Sequence, residues 1–196
     1  MTQTIDLGPA TERVFALLRG ISDDQLTDPT PCPAYTLGDL VEHVGGLALA
    51  FTWAATKDFP EEAGQAPSGD ASRLPDAWRD EFAVRLSGLA EAWRDPAAWG
   101  GMTQAGGVDL PGQVAGLVAL NEVVVHGWDV AVASGQAYGA DAACIQGCLG
   151  FVVPMSQPGR EAQREGVFGP VVPVDDDAPE LDRLLGLAGR DPAWSR

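Results

Sequence analysis

Lysine and histidine are almost missing from this chain. Lys57 stands alone against eleven arginines, and His43 and His126 are the only histidines. With 28 acidic and 12 basic residues the formal net charge is −16, which argues against a nucleic-acid backbone or an anionic membrane surface as partner. The preference for arginine, alongside abundant alanine and glycine, reads as GC-rich coding bias rather than chemistry. Cysteine is scarce: Cys32, Cys144 and Cys148 are an odd number without framework spacing, so free thiols and a cytoplasmic location are expected. No apolar run reaches roughly 18 residues without a polar interruption, so no membrane span is expected. Thr4 to Arg13 already mixes polar and charged residues, unlike a signal peptide.

Several motifs are missing too. There is no Gly-x-Ser-x-Gly, and a Ser-His-Asp triad would use up one of only two histidines. Gly100-Gly101 and Gly106-Gly107 lack the strand, helix and lysine of a phosphate cradle. Cys144 and Cys148 lie four apart without a second cysteine pair, which favours core packing over zinc.

What remains is helical. Hydrophobic residues make up 45% and charged residues 20% of the 196 positions, enough for a real core in one domain. A first helix is expected from Asp6 to Arg19, then a short capped turn at Ser22-Asp23-Asp24-Gln25. The prolines of Asp28-Pro29-Thr30-Pro31-Cys32-Pro33 exclude regular structure there. Thr36 and Asp39 cap a second helix whose stripe runs through Leu40, Val44, Leu47 and Phe51, with His43 on its flank. A loop over 58–72 leads to a third helix from about Pro75 to Asp95. Residues 99–109 suit a turn or a short extended piece. A fourth helix runs from Pro111 to Ala133 and stops at Gly135. A fifth spans Asp141 to Met155, broken by Pro154 and Pro158. Residues 167–174 are extended in character, and a last short helix covers Pro179 to Leu187. The expectation is an all-α protein: an antiparallel helical bundle over 1–160, with an irregular C-terminal arm over 161–196 packed on the same domain.

Glu122 and His126 stand in the almost wholly apolar fourth helix. At 100° per residue they are about 40° apart, and Asp129 falls about 20° to the other side of Glu122. The same stripe continues in Ala115, Val118, Ala119 and Ala133. A carboxylate in such a setting must be paired, neutralised or bound to a cation. One reading makes the stripe a solvent face or a set of core hydrogen bonds, although it carries no Lys or Arg. The other joins Glu122 and His126 to His43 in a His2Glu site with open positions, suited to Zn²⁺ and, less so, Ni²⁺ or Fe²⁺. Geometry leaves the two level, and a half-buried, satisfied imidazole is the commoner fate of a histidine like His43. In the metal reading Asp129 is the catalytic candidate, as a general base or as a carboxylate behind a ligand. Cys32 has no assigned role. Arg160 and Arg164 lie on one possible helical turn and could hold an anionic substrate group, although a solvated surface is the commoner place for such a pair.

Two segments carry a resemblance. Pro29-Thr30-Pro31-Cys32-Pro33-Ala34-Tyr35-Thr36-Leu37-Gly38-Asp39-Leu40-Val41-Glu42-His43-Val44 and Glu122-Val123-Val124-Val125-His126-Gly127-Trp128-Asp129-Val130-Ala131 resemble the two signatures of the DinB-like superfamily, in its branch related to mycothiol-dependent maleylpyruvate isomerase. Phe168-Gly169-Pro170 and Asp182-Arg183-Leu184-Leu185-Gly186-Leu187-Ala188-Gly189-Arg190-Asp191-Pro192 resemble the closing segment of an uncharacterised actinobacterial subgroup. The resemblance implies a DinB-like antiparallel four-helix bundle and carries metal ligation onto His43, Glu122 and His126. It implies a metal-dependent, mycothiol-dependent transferase or isomerase acting on an electrophilic substrate. A homodimer is one option for the assembly, which the sequence does not decide because exposed aromatics cannot be told from buried ones. Two rival readings are a non-catalytic metal- or ligand-binding bundle in a stress response and a metal-dependent hydrolase without a thiol cofactor. The isomerase itself carries a further C-terminal domain, for which the tail here is too short.

Overall fold

The computed structural model describes residues 4–164 and 167–196. It is mostly helical: α1 (Gly8–Arg19), α2 (Leu37–Thr56), α3 (Trp78–Arg94), α4 (Gly112–Ala133), α5 (Ala142–Met155), α6 (Glu161–Arg164) and α7 (Glu180–Leu187), with one two-stranded hairpin, β1 (Met102–Ala105) and β2 (Val108–Pro111). Helix α1 packs on α3 and α4, α2 packs on the same two, and α5 covers the outer side of α4.

Local chemistry sets the ends of these helices. Thr36 Oγ1 accepts from the Asp39 backbone N–H, while Asp39 Oδ2 accepts from the Thr36 N–H at 2.9 Å. This reciprocal box fixes where α2 begins, and with it the height of His43 along the helix. In α1 the N-cap position falls on Leu7, one residue later than expected. Asp6 still caps the end, since its Oδ1 accepts from the Gly8 N–H at 2.9 Å. Asp141 does the same for Ala143 and Cys144 at the start of α5. Pro154 sits inside the last turn of α5 instead of ending it. The ambiguous 99–109 stretch forms the hairpin, because Gly106 and Gly107 both take positive φ (56° and 79°), as a two-residue type I′ turn requires.

Helix α4 is apolar on nearly every side and lies at the centre. Among the described residues it is the one helix long and apolar enough to cross a membrane, yet 78% of its most apolar window is buried inside the protein. Gly116 lets it approach the Trp93–Trp99 pair, whose rings meet edge-on at 5.1 Å. On α2, a Cβ at Gly45 would fall 2.5 Å from the Phe82 ring. That glycine sets how closely α3 presses on the helix carrying His43.

The C-terminal arm is bound to the same core. Leu184 and Leu185 are fully buried, and α7 packs on α5. Residues 167–174 form no strand; the Val172 N–H donates to the Gly186 carbonyl instead. Arg164, open to an anion-binding role on sequence grounds, is a clasp: its guanidinium donates to Ser156 Oγ and to the Gly169 and Leu187 carbonyls, each at 2.7 Å.

Two glycine substitutions should separate packing from backbone entropy. Gly45→Ala should destabilise the protein by ~1–3 kcal/mol through overpacking against Phe82. Gly88→Ala, in α3 with open space around it, should stabilise it by ~0.5–1 kcal/mol. Urea unfolding followed by circular dichroism reads both.

Candidate metal centre

The pairing of α2 with α4 brings His43, Glu122 and His126 together. One ligand atom from each lies within 4.8 Å of the others, close enough to converge on one cation at bonds of ~2.0–2.2 Å with modest side-chain rotation. The His43 and His126 rings meet edge to face at 5.1 Å, and Tyr35 stands 5.3 Å beyond His43. Ala115 and Ala119 are fully buried on the same α4 stripe.

His126 lies between two carboxylates. Its Nε2 is 3.0 Å from Glu122 Oε2, and its Nδ1 is 2.9 Å from Asp129 Oδ2. Asp129 is wholly buried, and Arg190 reaches it from beyond α7. Arg190 Nε donates to Oδ1 at 2.9 Å and Nη2 to Oδ2 at 2.9 Å. Cys32 completes the cluster, with Sγ 3.3 Å from Asp129 Oδ2 and 3.0 Å from Arg190 Nη2. The sequence reading gave Cys32 no role and did not single out Arg190 for the site. Gly189, at φ 81° and packed on the Gly169 backbone, turns the chain at this point; a side chain there would meet that backbone.

The electrostatics follow from this arrangement. Burial opposes a charge on His126, but the hydrogen bonds of Asp129, Cys32 and Glu122 outweigh it and raise its pKa well above the ordinary value. Burial also opposes ionisation of Glu122 and of Asp129. His126 overrides it for Glu122, and His126 with Arg190 for Asp129, so both are held below the usual carboxylate range. His43 behaves oppositely: burial, reinforced by the charge on His126, pushes its pKa down to about 4. At neutral pH, His43 and Glu122 are already in their ligating forms. A cation held by these residues would have to displace the proton between His126 Nε2 and Glu122.

The donors fit a divalent ion. Two imidazoles and a carboxylate suit zinc, and His43 Nδ1 is buried without a hydrogen-bond partner. When His126 ligates through Nε2, its Nδ1–H is already committed to Asp129, which fixes the tautomer. A second set, Cys32, His126 and Asp129, fits poorly, because the Arg190 guanidinium fills that side and would repel a dication.

Two outcomes are expected of this geometry. Arg190→Met leaves a buried carboxylate without its main counter-charge and should cost ~3–5 kcal/mol in denaturant unfolding. For the metal-free protein, the unfolded chain protonates His43 below pH 6.5, whereas the folded protein resists until about pH 4. Stability should therefore fall as pH drops through that window, by on the order of 2–3 kcal/mol. His126 adds no slope below pH 6.5: with its pKa raised, its contribution is complete there and is lost as pH rises from 6.5 through the folded value. Urea midpoints between pH 5 and 7, for wild type and His43→Gln, should show the slope in the first and not in the second.

A family model described as the mycothiol maleylpyruvate isomerase N-terminal domain matches residues 7–131, a span that includes every donor and Asp129 but not Arg190. Uncharacterised proteins from two strains of Mycobacterium tuberculosis are 31% identical over 189 residues, covering 92% of this chain and 93% of their own. A crystal structure of the mycothiol-dependent maleylpyruvate isomerase shares the fold, with a TM-score of 0.54 at 18% identity over 77% of this chain and 67% of that one. The chain therefore belongs to the family of the mycothiol maleylpyruvate isomerase N-terminal domain.

Proposed function

We propose that the protein is a metal-dependent enzyme that uses mycothiol as a nucleophile in a transferase or isomerase reaction on a small electrophile. His43, Glu122 and His126 hold the cation, with zinc the best match to the donors. The observation that carries this reading is their convergence, one ligand atom of each within 4.8 Å of the others, inside the segment that matches the family. The arrangement of α1 and α2 against α3 and α4 supports the antiparallel four-helix form of a DinB-like fold. Bound there, the cation supplies the Lewis acidity that makes a thiolate available near neutral pH.

The chain's own residues do the positioning. Asp129 accepts the Nδ1–H of His126 and so leaves Nε2 as the nitrogen that would ligate once its proton is displaced. Both Asp129 oxygens are engaged and none of its side chain is exposed. In this reading it is a positioning residue rather than a base that meets substrate. Arg190 holds Asp129 in turn, and the Cys32 thiol packs against both. Maleylpyruvate, on which the structural relative acts by name, is not carried over as the substrate.

The reading is tested by thiol consumption. Zinc-loaded protein given mycothiol and an electrophile such as a chloronitrobenzene should consume thiol catalytically, and His126→Ala should lose at least ~100-fold of that rate. Asp129→Asn should weaken zinc binding by ~10–100-fold. Ester hydrolysis at full rate without thiol would favour a hydrolase. No turnover of any electrophile by the fully loaded protein would favour a binding module.

A further inference from the structure

Resting on that reading, we infer that residues 64–70 form a strap over the metal site, latched by Arg73, and that a thiol reaches the cation only after the strap lifts. The other approaches are filled. On the α3 side, the hollow beside Glu122 measures about 10 Å³, room for a single water. On the Asp129 side, Arg190 and Cys32 occupy the space. Helices α2 and α4 supply the donors themselves. The face over His43 is left, and residues 64–70 cover it.

Close contacts seat the strap there. Pro67 rests on Gly46, three residues beyond His43 on α2, where a Cβ would fall 2.9 Å from the Pro67 ring. The Pro67 backbone also hydrogen-bonds the His43 imidazole. The Gly69 N–H donates to the Tyr35 hydroxyl at 3.2 Å, on the ring that flanks His43. A Cβ at Gly69 would fall 2.4 Å from the Asp39 carbonyl oxygen, so glycine is what lets the strap lie this close to α2. The Asp70 and Ala71 N–H groups donate to the Glu42 and Asp39 carboxylates. Arg73 closes the latch: its guanidinium donates to both Glu42 oxygens and to the Ser68 carbonyl. Little of the segment is buried. Of residues 58–72 only Ala63 is, so the strap is held by polar bonds rather than by the core. Segments held in that way open locally at far lower cost than core helices, and such openings gate ligand entry.

Trapping the strap tests this. The double variant Gly46→Cys, Pro67→Cys brings two Cβ atoms close enough for a disulfide. The protein is loaded with cobalt, whose absorption bands report ligand entry, and then cross-linked with oxidised glutathione. Acetohydroxamate is the probe in place of the thiol, because it ligates Co²⁺ through oxygen and cannot reduce a disulfide. Its binding rate should fall by roughly 100-fold in the cross-linked protein and recover on reduction with a phosphine. Wild type carried through the same oxidation controls for Cys32. Arg73→Ala, at an exposed position, should speed binding by about 3-fold with cobalt stoichiometry unchanged. Probe binding to the cross-linked protein at the wild-type rate overturns the inference and leaves the metal reading standing. Should the double variant not fold, an unchanged rate in Arg73→Ala overturns it instead. Failure of the wild type to take up cobalt overturns the metal reading, and this inference with it.

Discussion

His126 is gripped on both edges by carboxylates, Glu122 on one side and Asp129 on the other, and the rest of the site follows from the need to balance that charge. Two buried anions beside one imidazole are tenable only with compensating positive charge. On the Asp129 side the protein supplies it permanently, as Arg190. On the Glu122 side it supplies only a proton on His126 and a neutral His43 that resists protonation. That asymmetry makes one side a fixed structural ion pair and the other the place where, under the proposed function, a metal would replace a proton.

The fold serves this arrangement through a few close approaches. The Thr36–Asp39 box sets the register of α2, Gly45 lets Phe82 press onto it, and the small Ala115 and Ala119 lie buried on the facing stripe of α4. The arm after α5 is part of the same mechanics. It buries Leu184 and Leu185, is clasped by Arg164, and delivers Arg190 to Asp129. Its final residue, Arg196, pairs with Asp28 near the loop that carries Cys32, so both ends of the Asp129 cluster are tied to the same corner.

Much of this was legible in the sequence because it is local. Helix caps, proline breaks and the three-to-four-residue stripes of α2 and α4 depend on neighbours a turn away, and they located His43, Glu122, His126 and Asp129 on their faces. What could not be read depends on distant contacts. Arg190 meets Asp129 across 61 residues. The one hint was a lone arginine after a glycine, just past the last helix. Cys32 stands in a Pro-Cys-Pro loop whose path no periodicity reveals. Arg164 looked like a free cation and proved to be bound to carbonyls. Residues 167–174 have strand-like composition but find no partner strand, so composition alone suggested extension without pairing.

The central claim is that His43, Glu122 and His126 form one metal site, and the metal content of protein purified without an affinity tag tests it most directly. Elemental analysis should find close to one equivalent of a divalent ion, zinc by the chemistry of the donors, and should find it lost in each of His43→Ala, Glu122→Gln and His126→Ala. Less than a tenth of an equivalent in the wild type after incubation with zinc, or a content unchanged in His126→Ala, would contradict the account.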